Sequence, residues 1–261
     1  VADAAPTPAS TPTLHADVVG AGPRLVLVHG FTQTRRCWGP VADDLARDHE
    51  LVLVDAPGHG RSAHVDADLV EGGRLVAEVG GPAVYVGYSM GGRIVLHTAL
   101  ERPDVVRGLV LVGATAGLES AAERAARVAD DEARARRLEQ VGVAAFLDEW
   151  LALPLFAGLS PAAAARAERL ENTAAGLASS LRRAGTGTQW PTWDRLGGID
   201  APTLVVAGAD DAKFVALGRR LADGIGAHAT FDTVPDAGHT AHLEQPGAFL
   251  ARLRPWLATL P

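Results

Sequence analysis

The sequence predicts an α/β protein: a mostly parallel central sheet flanked by helices and interrupted by a helical lid. Three observations predict it. Short apolar runs without alternation recur along the chain, segments with helical spacing separate them, and about residues 116–190 contain no convincing strand. A run without alternation suits a strand covered on both faces. Repetition of strand, helix and strand gives a parallel sheet with right-handed crossovers.

The elements follow in order. A weaker strand at 14–19 opens the sheet, and runs of Val and Leu at 25–28, 51–54, 83–86 and 109–112 supply its middle. Helical spacing fills 38–47, 67–79 and 90–100 between them. The stretch from about 116 is rich in Ala, Arg, Glu and Leu, all good helix formers, with opposite charges four apart at Glu123 and Arg127 and at Glu132 and Arg136. It reads as a lid over the C-terminal edge of the sheet, where open α/β folds bind ligands. Strands at 203–207 and 229–234 and a helix near 246–258 complete the pattern.

Composition narrows the function classes. The chain has 261 residues, 48% apolar and 21% charged, which suits one large domain over 14–261 with a sizeable core. A net charge of −7 argues against nucleic-acid binding and requires that an anionic substrate meet locally clustered cations. The single cysteine, Cys37, has no partner for an intramolecular disulfide, which suits a cytoplasmic enzyme. Residues 1–13, rich in Ala, Pro and Thr, have no basic or apolar leader pattern and read as a flexible tail. No apolar stretch is long enough for membrane insertion. His239 and His242 stand three apart, but no third ligand follows at a suitable spacing, so neither a metal nor another cofactor is expected.

The chemistry concentrates in Gly87-Tyr88-Ser89-Met90-Gly91, between a strand and a helix. This G-x-S-x-G pattern resembles the nucleophile elbow of the α/β-hydrolase fold. The turn is strained, so the neighbours of Ser89 must be small, and the helix start offers free N–H groups to a developing anion. A serine hydroxyl needs a base, and the base an orienting acid. His239 follows the last strand, and Asp211 lies in Gly208-Ala209-Asp210-Asp211 after the strand at 203–207. The order Ser, Asp, His is the one this fold uses. The other position for the acid, Gly113-Ala114-Thr115, holds no carboxylate. The backbone N–H of Phe31 or Thr32, after the strand at 25–28, and that of Met90 supply an oxyanion hole; Phe31 is the first choice.

Longer segments resemble the 2-succinyl-6-hydroxy-2,4-cyclohexadiene-1-carboxylate (SHCHC) synthase family of menaquinone biosynthesis. They include His29-Gly30-Phe31-Thr32, Asp55-Ala56-Pro57-Gly58-His59-Gly60-Arg61-Ser62, Arg169-Leu170-Glu171-Asn172, Gly185-Thr186-Gly187-Thr188-Gln189 and Asp211-Ala212-Lys213-Phe214. The resemblance runs from about His29 to Pro246, lid included. It implies a carbon–oxygen lyase that eliminates pyruvate from a substrate with three carboxylates, with the Ser89 relay abstracting a proton. It also implies that Tyr88, Arg93, Arg127, Trp150, Arg169 and Lys213 bind this small polycarboxylate, in a monomer or weak homo-oligomer.

The residues alone leave other readings open. Arg127 could pair with Glu123 or Asp131 on an exposed helix face, and Trp150 could be lid core. A serine carboxylesterase or C–C bond hydrolase would use the same triad with Ser89 as a covalent nucleophile. From another class, an inactive ligand-binding or scaffold protein could keep the fold without the chemistry.

Overall fold

The structure, a computed structural model, describes residues 13–261. The tail expected at 1–13 therefore lies outside the described residues, Thr13 excepted.

Seven strands form one sheet in the order β1-β3-β2-β4-β5-β6-β7. They are β1 (Ala16–Val19), β2 (Arg24–Val28), β3 (Glu50–Val54), β4 (Ala83–Tyr88), β5 (Val106–Val112), β6 (Thr203–Gly208) and β7 (Ala229–Val234). Only β1 pairs antiparallel, against β3. All the others are parallel. The apolar runs sit where expected. β4 and β6 are buried along their whole length, whereas β7, at an edge, alternates because one of its faces meets water.

Each buried strand sends alternate side chains into two cores. Val26, Tyr85, Leu109 and Val205 pack on one face with α2 (Leu69–Gly80), α3 (Met90–Glu101) and α7 (Ala212–Ile225). Leu27, Val86, Val110 and Val206 pack on the other with α1 (Gly39–Leu45) and α9 (Pro246–Leu257). Two helix starts differ from the expected ones for local reasons. The Asp68 carboxylate accepts from the N–H groups of Val70 and Glu71 and caps α2, which delays its start to Leu69. Residues 35–38 form a tight 3₁₀ turn with Trp38 buried, so α1 begins at Gly39.

The insertion between β5 and β6 is helical: α4 (Ala121–Leu151), α5 (Arg166–Arg169) and α6 (Ala174–Ala184). Ser120 caps α4, and Gly142, at φ 76°, breaks it in the middle. The lid has its own small core, in which Leu138 and Phe146 of α4 meet Leu177 and Leu181 of α6. Phe31, from the loop after β2, packs against this core and joins lid to sheet.

The connections place the site. The chain steps from β2 to β3 on one side and then crosses to β4 on the other. The order therefore reverses between β2 and β4, which opens a crevice at their C-terminal ends. The loop carrying Phe31 follows β2, and Ser89 follows β4.

Candidate active site

Ser89 occupies the turn between β4 and α3 at φ 52°, ψ −109°, backbone that an L-residue adopts only under constraint. The glycines make this possible. A Cβ on Gly91 would lie 2.0 Å from the Val28 carbonyl oxygen, and one on Gly87 would lie 2.4 Å from that of Gly91. The strands and the elbow helix meet at backbone distance, and Ser89 is pushed out at the crevice.

His239 stands on the loop after β7. Its Nε2 is 3.1 Å from Ser89 Oγ and its Nδ1 3.0 Å from Asp211 Oδ2. The carboxylate partner assigns the proton to Nδ1, leaving Nε2 to accept from the serine hydroxyl. Burial pushes the Asp211 carboxyl up, but its bonds with the His239 ring and the Phe214 N–H outweigh this and hold it below the usual range. Gly113, at the alternative acid position, lies against the His239 ring: a Cβ there would stand 3.1 Å from Cε1. A carboxylate at Gly113 would thus intrude on the base. The structure brings Ser89, His239 and Asp211 together.

Glu244, for which the sequence reading found no role, holds the histidine loop. Its carboxylate accepts from the N–H groups of Gly238 at 2.7 Å and Thr240 at 2.9 Å, on either side of His239. The spacing of a carboxylate five residues after the base was its only signal.

Around Phe31 the backbone donors are sorted. The N–H of Gly30 donates to Gln33 Oε1 at 2.9 Å and that of Thr32 to His59 Nε2 at 3.3 Å. The Thr32 N–H is thereby already engaged. The N–H groups of Phe31 and Met90 have no hydrogen-bond partner among the described residues, and both residues line the crevice. His29 and His59 are buried framework. Each Nδ1 bonds a backbone carbonyl and each Nε2 accepts from a backbone N–H, and burial lowers their pKa to about 4 and about 3. His242 packs between Trp38 and Tyr88, with ring centroids 4.9 and 4.4 Å away.

The crevice continues under the lid as a cavity of about 400 Å³. Tyr88, Arg93, Arg127, Trp150, Arg169 and Lys213 all line it, together with the triad. Their electrostatic situations differ. Arg127 bonds Asp131 Oδ1 at 2.8 Å. Asp131 is only 2% exposed, so this is not the solvated surface pair that helical spacing allowed, and Glu123 is not the partner. Arg93 is buried. Its Nη1 donates to the Ala184 carbonyl at 2.9 Å, and burial, with Arg127 nearby, lowers its pKa to about 10. Arg169 is 1% exposed. It donates to the Ala164 carbonyl at 2.7 Å and to the Thr32 hydroxyl. Lys213 is exposed at the rim, over the ring of Phe214. Among the described residues, no carboxylate forms an ion pair with Arg93, Arg169 or Lys213. Buried charge without a counter-charge is costly, and two such guanidiniums stand on one cavity wall. Trp150 has a buried Nε1 without a hydrogen-bond partner among the described residues and stacks on Phe146, making it both lid core and cavity wall.

The chain is similar to known proteins over most of its length. A family profile described as "Alpha/beta hydrolase family" matches residues 25–253. A 2-succinyl-6-hydroxy-2,4-cyclohexadiene-1-carboxylate synthase of Yersinia pseudotuberculosis serotype O:1b (strain IP 31758) is 33% identical over 247 residues, covering 91% of this chain and 88% of its own. A Bacillus subtilis (strain 168) relative, provisionally named for the same synthase, is 33% identical over 243 residues and 88% of each chain. Among solved structures, MenH from S. aureus superposes with a TM-score of 0.87 at 28% identity, covering 94% of this chain and 98% of its own. A malate-bound thermophilic esterase from Thermogutta terrifontis has a TM-score of 0.80 at 25% identity, covering 94% and 93%.

Proposed function

The chain belongs to the α/β-hydrolase family and, within it, to the SHCHC synthases, and from that premise we propose that it eliminates pyruvate from 2-succinyl-5-enolpyruvyl-6-hydroxy-3-cyclohexene-1-carboxylate, a step of menaquinone biosynthesis. The observation that carries the reading is the charge of the cavity. Arg93, Arg169 and Lys213 line it without a carboxylate partner among the described residues, and this substrate brings three carboxylates. Arginine meets carboxylate through a planar fork of donors. Such a wall suits a polyanion better than a neutral ester.

The residues support an elimination. The ring proton beside the succinyl ketone is acidified by that carbonyl. His239, held by Asp211, draws the Ser89 proton and lets the serine oxygen act as the base. Charge then spreads onto the ketone oxygen, where the N–H groups of Phe31 and Met90 receive it. Collapse of this enolate moves the ring double bond and expels the enolpyruvyl oxygen, giving the diene and, after proton transfer, pyruvate. No metal or redox cofactor enters this electron count. The cations act on the substrate's carboxylates and fix which ring proton faces Ser89.

The test is direct. The purified protein is expected to release pyruvate from this precursor, followed by lactate dehydrogenase coupling. Ser89→Ala, His239→Ala and Asp211→Asn are each expected to reduce kcat by about 100-fold or more. A wild-type protein that ignores the precursor but rapidly hydrolyses neutral aryl esters would replace this reading with an esterase.

A further inference from the structure

The turn carrying Phe31 is held in an unusual way. The Gln33 N–H donates to the Gly30 carbonyl at 3.1 Å, closing a four-residue turn. Thr32, its third residue, has φ 67° and is fully buried. A turn with positive φ at this position favours glycine or asparagine, and a β-branched residue there is a genuine outlier. Such backbone persists only where its surroundings fix it.

They fix Thr32 from three sides. His59 Nε2 accepts from its N–H. Arg169 donates to its hydroxyl. Asn172, which follows α5 in the lid, donates from Nδ2 to the Thr32 carbonyl at 2.8 Å and to the Arg169 carbonyl at 2.9 Å, with the Gln33 carbonyl further off at 3.3 Å. Its Oδ1 accepts from the Gly60 N–H at 2.8 Å, in the loop that carries His59. Asn172 is 6% exposed and does not line the cavity. Its side chain thus ties together lid, oxyanion turn and the loop after β3 without reaching the substrate's place.

We infer that Asn172 is a positioning residue for the oxyanion hole: it holds Thr32 in its left-handed conformation, and thereby aims the Phe31 N–H at the charge that develops beside Ser89. This rests on the proposed elimination for its substrate but not for its geometry. The lid reaches this turn through Asn172 and Arg169, so lid docking and completion of the hole are one event. Only the sequence Arg169-Leu170-Glu171-Asn172, without any assigned task for Asn172, hinted at this.

Two assays test it. Asn172→Ala is expected to lower kcat for pyruvate release about tenfold or more, a fraction of the loss on removing an oxyanion donor outright, with KM changed by less than about threefold. The rate at which a fluorophosphonate labels Ser89, which also needs the hole, should fall in parallel. Thr32→Gly supplies a residue that adopts positive φ unaided, so adding Asn172→Ala in that background should cost about threefold or less. A variant with unchanged kcat and labelling rate, or one with the same loss in both backgrounds, overturns the inference. Should Asn172→Ala not fold, Asn172→Ser, too short to span the two loops, is read in the same assays. If wild type releases no pyruvate while labelling still depends on Asn172, the substrate reading fails and the positioning role stands.

Discussion

Replacing Arg169 by methionine separates a binding role from a structural one. The guanidinium has five N–H donors. Two are accounted for by the Ala164 carbonyl and the Thr32 hydroxyl, and no carboxylate pairs with the charge among the described residues. A substrate carboxylate would take up a bidentate, charge-assisted pair, worth about 3 kcal/mol. Its loss should lower kcat/KM by roughly 100-fold, through KM for the lost carboxylate pair and through a smaller fall in kcat because Arg169 also holds the Thr32 hydroxyl. Stability should move the other way or not at all. Methionine fills much of the same volume, and removing an unpaired buried cation recovers several kcal/mol of desolvation, offsetting two lost hydrogen bonds of about 1–3 kcal/mol each. The assays are steady-state pyruvate release and thermal melting with and without a tricarboxylate such as citrate. Citrate should raise the Tm of wild type and have a smaller effect on Arg169→Met. An unchanged kcat/KM together with a Tm lower by about 4 °C or more would refute the reasoning and make Arg169 a structural residue.

Further outcomes follow from other parts of the molecule. Arg127→Ala should raise KM and also destabilise by about 1–3 kcal/mol, since among the described residues it leaves buried Asp131 with Arg134 at 3.6 Å as its ion-pair partner; a Tm equal to wild type would return the pair to the solvated class. Burial holds the folded-state pKa of His29, His59, His97 and His242 at about 4, 3, 4 and 3. The unfolded chain therefore takes up these protons first, near pH 6.5, so stability is full above that pH and falls toward pH 4 by on the order of 1 kcal/mol per histidine per unit. Melting from pH 8 to pH 5 checks the slope, and His97→Leu, which removes a ring with no hydrogen-bond partner at either nitrogen among the described residues, should reduce it. Gly91→Ala should abolish soluble folded protein, because its Cβ would lie 2.0 Å from the Val28 carbonyl oxygen; circular dichroism of a recovered variant would contradict this.

The inner strands were legible because they are short apolar runs near Gly, Pro or Asp whose burial on both faces removes the alternation, whereas β1 and β7, at the edges, gave weaker patterns. The triad was legible because the elbow fixes Ser89 and chain order fixes its partners. Partners across the fold were harder to see. Helical spacing offered Arg127 two carboxylates, and only burial of Asp131 chose between them. The lack of an ion-pair partner at Arg169 has no sequence signature. The contact of Asn172 with Thr32 spans 140 residues and depends on how the lid docks. The break in α4 at Gly142 was not read from the sequence. The oxyanion turn was readable as a loop, but the competition for its N–H groups was not. Gln33 and His59 take the donors on either side of Phe31 and leave that one free.

The central claim is that Ser89 removes a proton and does not acylate. The stoichiometry of a single reaction tests it most directly. With the enolpyruvyl precursor, pyruvate and the conjugated cyclohexadiene, read by its ultraviolet absorbance, should appear one to one, and both should vanish in Ser89→Ala. Pyruvate without the diene, or an acyl adduct on Ser89 seen by mass spectrometry, would contradict the account.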